Sequence, residues 1–514
     1  MPVPKSPISW ECQMKFAGVL FAAITFCLSG NVRAASPNVL FIIADDASRS
    51  FGEAYGCSWA NTPNIDQLAR TGLVFENAYT PTSKCAPSRA SILTGRYPWL
   101  LEAAANHQPY FPAKFIAFSE ALQAAGVACG GTGKTWGPGE AKNADGSQRD
   151  FALGGGKMPG SPSVRFADFL EKRPADKPFF YWFGSSNPHR PYKLDSGIMA
   201  GKKPADVTHV PAHWPDNDVV RRDMLDYAIE IEAYDAEVGS LLETLKASGA
   251  ANNTLVIVTS DHGMPFPRVK GHTNDDANHI PLVACWPDGI VNPGRRVVDF
   301  VSFIDLAPTF LELQQVNGGD QGMSPIIGRS FTDILRGQGK TNRDFIISGR
   351  ERNDVDARPG SRAGLGYPVR SIRVGTMLYI HNFEPDRWPC GDIDLGLTDT
   401  DSSPTKQFIE TLGDQSPFWQ QAFGKRPAEQ LFDIAKDPDC VKNLAVDPEF
   451  KTEVASLREK LMSELKSQGD PRVLGQGAMF DEYPSPRSKL ALDAAKNQGT
   501  ENASQPKKKA KSKQ

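Results

Sequence analysis

Three groups of residues in this sequence have types and spacings that could do chemistry. The first is Cys85-Ala-Pro-Ser-Arg89, continued by Ala90-Ser-Ile-Leu-Thr-Gly-Arg96. A cysteine can act as a nucleophile or be converted into one. Arg89 follows it by one helical turn, on the same face if the segment is helical. The plain alternative is a free thiol in a proline turn at a helix start, with Ser88 as a local cap. The second group is Asp45-Asp46 with Asp261-His262. Acids paired at two places offer hard oxygen donors, which suit calcium or magnesium better than zinc, and His262 is the softer member. Taken singly, each pair reads as a turn or a helix cap after a strand. The third group is basic: Lys134 in Thr132-Gly-Lys-Thr-Trp136, His189 in Asn187-Pro-His-Arg190, and Lys270 nine residues after Asp261. Alone these are a loop lysine, a capped histidine and a surface charge.

Each acid pair ends an apolar run. Asn38-Val-Leu-Phe-Ile-Ile-Ala precedes Asp45, and Thr254-Leu-Val-Ile-Val-Thr-Ser precedes Asp261. Continuous apolar runs of this length are strands buried on both faces. A third run, Phe179 to Phe183, precedes Ser186-Asn-Pro-His189. Helical patterns lie between them at Asn64–Thr71, Phe118–Ala125 and Asp223–Ser248. Strands alternating with helices over some 300 residues predict an α/β domain with a mostly parallel sheet sandwiched by helices. Ligands gather at the carboxyl ends of such strands, where the acids stand. From about Thr341 the texture changes. Arg370 to His381 alternates like a strand at a sheet edge, Gly424 to Leu444 is turn-rich, and Phe450 to Gln468 is an amphipathic helix pattern. A smaller C-terminal α+β subdomain with antiparallel strands is expected there.

The pattern Cys-x-Pro-Ser-Arg followed by Leu-Thr-Gly-Arg resembles the signature of the formylglycine-dependent sulfatases, which share the alkaline-phosphatase-like fold, and the likeness extends over nearly the whole mature chain. The resemblance implies that a formylglycine-generating enzyme recognises the signature in the unfolded chain and converts Cys85 to an aldehyde. It also implies one calcium ion held by Asp45, Asp46, Asp261, His262 and the modified Cys85, with Asn commoner than His at the position of His262. It assigns Arg89 to holding the nucleophile, Lys134 and Lys270 to sulfate, and His189 to the leaving group. A sulfate ester needs positive charge on its non-bridging oxygens and an acid for the departing oxygen, which these types supply. One position departs from the pattern: the family usually reads Gly-Lys-x-His, and Trp136 stands in place of that His. Either Trp136 walls the pocket, or His107, His272 or His279 supplies the imidazole.

Several segments resemble the heparan N-sulfatase (sulfamidase) type within the family. They are Ser83 to Gly95, Thr254 to Pro267 with its Pro-Phe-Pro, Tyr367 to Arg373, and Asp437 to Ala445. This likeness implies a sulfated saccharide substrate, with N-sulfated glucosamine as one form and an O-sulfated polysaccharide as the alternative. A phosphomonoester or phosphonate hydrolase of the same superfamily would favour Ser or Thr over Cys85 and a two-zinc site. A non-catalytic glycan-binding protein would leave Cys85 unmodified.

The bulk properties agree with an exported enzyme. The chain has 514 residues, a formal net charge of −3, 40% hydrophobic and 23% charged residues, which suits one large domain plus a smaller one and not a nucleic-acid binder. Lys5 and Lys15, the apolar Phe16 to Leu28 and small residues near Ala35 form a signal-peptide pattern over 1–35. The expected divisions are a catalytic domain at 36–340, a smaller subdomain at 341–485 and a disordered basic tail at 486–514. No mature segment reads as a membrane span, so a secreted or periplasmic location is expected; the oligomeric state is open. Six cysteines remain after the signal, without a disulfide-scaffold spacing, and Cys129 and Cys285 read as small core residues.

Overall fold

The structure is a computed structural model that describes residues 36–154, 161–340, 343–358 and 365–487. The signal-peptide segment and nearly all of the basic tail lie outside the described residues. The chain forms β1 (Asn38–Ala44), β2 (Leu73–Tyr79), β3 (Tyr110–Phe111), β4 (Ala128–Gly133), β5 (Glu140–Ala141), β6 (Phe179–Gly184), β7 (Thr254–Ser260), β8 (Leu282–Cys285) and β9 (Arg295–Ser302) in its first part. Seven of these make one sheet in the order β4-β6-β1-β7-β8-β2-β9. Every pairing is parallel except the two made by β8.

The strand β1 shows why its sequence is apolar throughout. Successive side chains alternate between faces. Val39, Phe41 and Ile43 enter one buried cluster, and Leu40, Ile42 and Ala44 enter another on the opposite face. Helices cover both: Cys85–Thr94 and Leu306–Leu313 on the first, Pro63–Thr71 and Asp218–Ala247 on the second. Each fully buried leucine or phenylalanine of this kind contributes about 1.5–3 kcal/mol relative to exposure. The long helix begins at Asp218, earlier than its apolar pattern predicts, because the Asn217 side chain accepts the Val220 N–H at 3.1 Å and caps the first turn.

The C-terminal part supplies β10 (Phe345–Arg350), β11 (Val369–Val374), β12 (Met377–Asn382) and β13 (Glu429–Asp433), an antiparallel sheet in that order. Arg370–His381 is therefore not one edge strand. Gly375, at φ 55°, lets the chain reverse, and the segment becomes a hairpin whose two strands are both internal. The helix Lys451–Gln468 lays Val454, Leu457, Leu461 and Leu465 against this sheet. The same cluster takes in Tyr97 and Trp99, just beyond the helix that begins at Cys85. Arg370, whose charge is matched within the C-terminal part by Asp470 and Glu351, lies over the Trp99 ring and so ties the smaller sheet to the larger part. Among the described residues no helix is long and apolar enough to cross a membrane, and Cys57, Cys85, Cys129, Cys285, Cys390 and Cys440 are all free thiols. Cys285 is buried as expected, whereas Cys129, on the edge strand β4, is only half-buried.

Candidate active site

The register of β1 and β7 builds the centre of the site. Asn38 pairs with Thr254 and Ala44 with Ser260, so the two strands end level and their next residues lie side by side. Asp46 turns into the left-handed region at φ 77°, and its N–H donates to Asp261 Oδ1 at 3.1 Å. His262 Nδ1 donates to the Gly263 carbonyl at 3.0 Å, which leaves Nε2 facing inward, 3.2 Å from Asp46 Oδ1.

Cys85 begins the helix Cys85–Thr94. Pro87 is accommodated there because the first turn has no N–H partner to lose, and Gly95, at φ 65°, ends the helix in a left-handed cap. Ser88 does not cap it. Its hydroxyl donates instead to the Asp261 carbonyl at 2.7 Å, stitching the helix to the end of β7. Cys85 is 1% exposed, with Sγ 3.2 Å from His262 Nε2 and 3.8 Å from Asp46 Oδ1. Burial alone would raise the thiol pKa, but Lys134, Lys270 and His262 outweigh it and bring it down to about 6.

The cations interleave with the acids. Lys134 Nζ donates to both oxygens of Asp45 at 2.7 Å, and Lys270 Nζ donates to Asp46 Oδ2 at 2.6 Å. Arg89 donates from Nε to Asp261 Oδ2 at 2.8 Å and from Nη2 to Asp45 Oδ1 at 3.4 Å. Burial opposes charge on Asp46, yet Lys270, His189 and His262 hold its carboxyl down at about 2. Asp261 is likewise held below the usual carboxylate range, and its charge with that of Asp46 raises His262 to about 9 against the effect of burial. His189 donates from Nδ1 to the Arg190 carbonyl and points Nε2 toward Asp46 Oδ2, 3.9 Å away. Its side chain, 37% exposed, reaches the mouth of the site. The loop is anchored by Arg190, whose guanidinium meets both oxygens of Asp223 at 2.8 Å.

Two sets of donor atoms, Asp46–Cys85–His262 and Asp45–Cys85–Asp261, each lie within 4.8 Å of one another. Three carboxylates, with a His262 nitrogen that would give up its proton to ligate, fit a hard divalent cation, which would share those carboxylates with the lysines and arginine that face them. The structure thus brings all nine residues singled out in the sequence into one site. It also brings residues that carried no motif. Asp401 pairs with Lys270 at 3.1 Å, and Asp354 pairs with Lys84 at 3.4 Å. Both belong to loops of the C-terminal part, far from the motifs in sequence, and nothing in their local sequence marks them. Trp136 donates its indole N–H to the Ala86 carbonyl at 3.0 Å and packs edge-on against Phe111 and Phe151. It braces the start of the Cys85 helix.

The Sulfatase family's sequence model matches residues 37–158 and 163–316. Human N-sulphoglucosamine sulphohydrolase is 28% identical over 89% of this chain and 95% of its own. An ulvan-active sulfatase of Formosa agariphila is 25% identical over 87% of this chain and 77% of its own. A solved structure in complex with its substrate D-glucosamine-2-N,6-O-disulfate superposes with a TM-score of 0.59 at 19% identity, covering 85% of this chain and 98% of the other. The phosphonate monoester hydrolase of Agrobacterium radiobacter, at a TM-score of 0.58 and 19% identity over 84% and 96% of the two chains, shares the fold. The chain belongs to the sulfatase family and is a sulfuric ester hydrolase.

Proposed function

We propose that this chain is an exported, calcium-dependent sulfatase that removes sulfate from sulfated glycans, with formylglycine derived from Cys85 as its nucleophile. The observation that carries this reading is the convergence of Asp45, Asp46, Asp261 and His262 on Cys85, with Arg89, Lys134 and Lys270 around them. In this reading those four residues and the modified residue 85 hold the calcium ion. When present, the hydrated aldehyde supplies a nucleophilic oxygen and a built-in means of releasing sulfate. Lys134 and Lys270 take the non-bridging oxygens and stabilise the charge that develops there. Arg89 fixes Asp261 and the helix that carries residue 85. His189, with Nδ1 donating to a backbone carbonyl, turns Nε2 toward the leaving group and, as imidazolium, would give it the proton. We take 36–340 as the catalytic domain, 341–485 as the smaller subdomain, 1–35 as a signal peptide and 486–514 as a solvated tail.

The substrate is a sulfated saccharide, and we favour an N-sulfated glucosamine. The near-complete coverage of human N-sulphoglucosamine sulphohydrolase, together with the segments around Cys85, Asp261, Tyr367 and Asp437, supports that choice. The ulvan-active relative favours a second reading, an O-sulfated polysaccharide. Two measurements test the proposal. Mass spectrometry of the peptide spanning Cys85, from a host with the maturing enzyme, is expected to show the aldehyde; an unmodified thiol sinks the mechanism. A panel of N-, 2-O-, 3-O-, 4-O- and 6-O-sulfated saccharides, with Cys85→Ala as control, then decides the class. Release from an O-sulfate with N-sulfated glucosamine untouched overturns our choice.

A further inference from the structure

Three histidines outside the motifs were candidates to serve residue 85, and the structure separates them. His279 stacks on Tyr79 at 4.4 Å and bonds Asp275 and the Glu76 carbonyl, so both nitrogens are engaged at β2. His272 Nε2 lies 3.2 Å from Cys390 Sγ, a second buried thiol. His107 is different. Its Nδ1 is hydrogen-bonded to Asp354 Oδ1, which orients the ring, and its Nε2 is buried with no hydrogen-bond partner among the described residues. Cys85 lies close enough to that ring to interact with it. The arrangement is held from both sides. His107 N–H donates to the Arg352 carbonyl at 2.9 Å, and Arg352 N–H donates to Asn106 Oδ1 at 3.0 Å. Asp354 is itself paired with Lys84, the residue before Cys85.

A buried nitrogen without a partner costs about 1–3 kcal/mol, and a carboxylate that orients the opposite edge of the ring is how imidazoles are aimed at nucleophiles. His262 also faces Cys85, but its Nε2 belongs to the donor set of the cation. Trp136 offers no basic nitrogen. We infer that His107, aimed by Asp354, is the catalytic imidazole that hydrogen-bonds through Nε2 to the side chain of residue 85 and positions it against the sulfur of the substrate. This rests on the reading of residue 85 as a hydrated aldehyde.

The test uses full-length protein whose residue-85 aldehyde has been verified by mass, as wild type, His107→Ala, His107→Gln and Asp354→Asn. The first readout is the rate at which an aminooxy probe forms the oxime at residue 85. We expect that rate to change by at least about threefold in both His107 variants, because a hydrate loses its hydrogen-bond partner. The second readout is kinetics on whichever sulfated saccharide the wild type cleaves. There kcat is expected to fall on the order of 100-fold, with KM within about threefold. Asp354→Asn, which keeps the ring's neighbour but changes its orientation, is expected to fall between. An unchanged oxime rate in folded His107→Gln protein overturns the inference, and so does a raised KM with unchanged kcat, which would make His107 a sugar contact. The oxime readout needs no substrate, so it stands even if the proposed saccharide is wrong.

Discussion

Arg89 Nε donates to Asp261 Oδ2 across 2.8 Å, with both side chains fully enclosed. One link thereby joins the helix that begins at Cys85 to the end of β7. Removing the guanidinium would leave Asp261 with only His262 and Lys134 to offset its buried charge, a loss of up to about 3–5 kcal/mol. Arg89→Ala is expected to lower the thermal midpoint by several degrees and to abolish turnover. Added calcium should restore part of the midpoint, because the ion replaces the missing positive charge beside Asp261. Scanning calorimetry with and without calcium checks this; an undiminished midpoint contradicts the link.

Asp45→Asn and Asp261→Asn each remove a formal charge from the proposed ligand set. Both are expected to weaken calcium binding at least about tenfold and to reduce activity together with it. Titration calorimetry of chelator-treated protein measures the first and sulfate release the second. Full activity in either variant would refute the assignment of that residue to the metal.

Gly184, the last residue of β6, passes close beneath the loop of Lys134. A Cβ at Gly184 would lie 1.8 Å from the Lys134 carbonyl oxygen, a backbone atom that cannot step aside alone. That carbonyl also accepts from Arg89 Nη1. Gly184→Ala should displace Lys134 and Arg89 at once, lowering kcat/KM on the order of 100-fold. Kinetics of the variant, with its fold checked by circular dichroism, tests this, and near-normal kinetics would show that the loop can relax.

Asp235 gives a pH dependence of stability that is separate from the chemistry. It is buried in the helix Asp218–Ala247 and accepts the Ile65 N–H at 2.8 Å and the Asn64 side chain at 2.7 Å. Burial outweighs these bonds and raises its carboxyl from 3.8 to about 6. In the unfolded chain the group ionises near pH 4, so between about pH 4 and 6 the folded state holds the extra proton and stability falls as pH rises. The loss amounts to up to about 3 kcal/mol and levels off above pH 6. Asp235→Asn is expected to remove that slope whatever it does to the midpoint itself. Thermal midpoints across pH 4.5–7 read it, and an unchanged slope assigns the dependence elsewhere.

The sequence made the parts of the site legible where local pattern and chemistry coincide. The apolar runs ending at Asp45 and Asp261 show as buried strands because both faces of β1 and β7 are covered, and acids at the carboxyl end of each run pointed to a shared site. Cys85 and Arg89 show through their spacing. Arg370–His381 did not, because alternation is the same on either side of a tight turn, and Gly375 is the only mark of the reversal. His107 was visible only as one of three histidines, and Asp354, which singles out its place, and Asp401 were invisible for another reason. Their place in the site depends on how loops of the C-terminal part fold over the large sheet, and no local period records that. The departure at Trp136 was visible, but its physical role was not: an indole bracing the Ala86 carbonyl is a tertiary contact.

Cys85 is sealed beneath its own helix, with Ser88, Trp136 and Arg89 fastening that helix to the strand ends. If residue 85 is matured to formylglycine as proposed, the modifying enzyme would need the Cys-Ala-Pro-Ser-Arg stretch extended and reachable, and the folded molecule does not present it so. On that reading maturation and folding compete in time. A chain that closed first would be left as a thiol, and the yield of working enzyme would be set by a race run once per molecule.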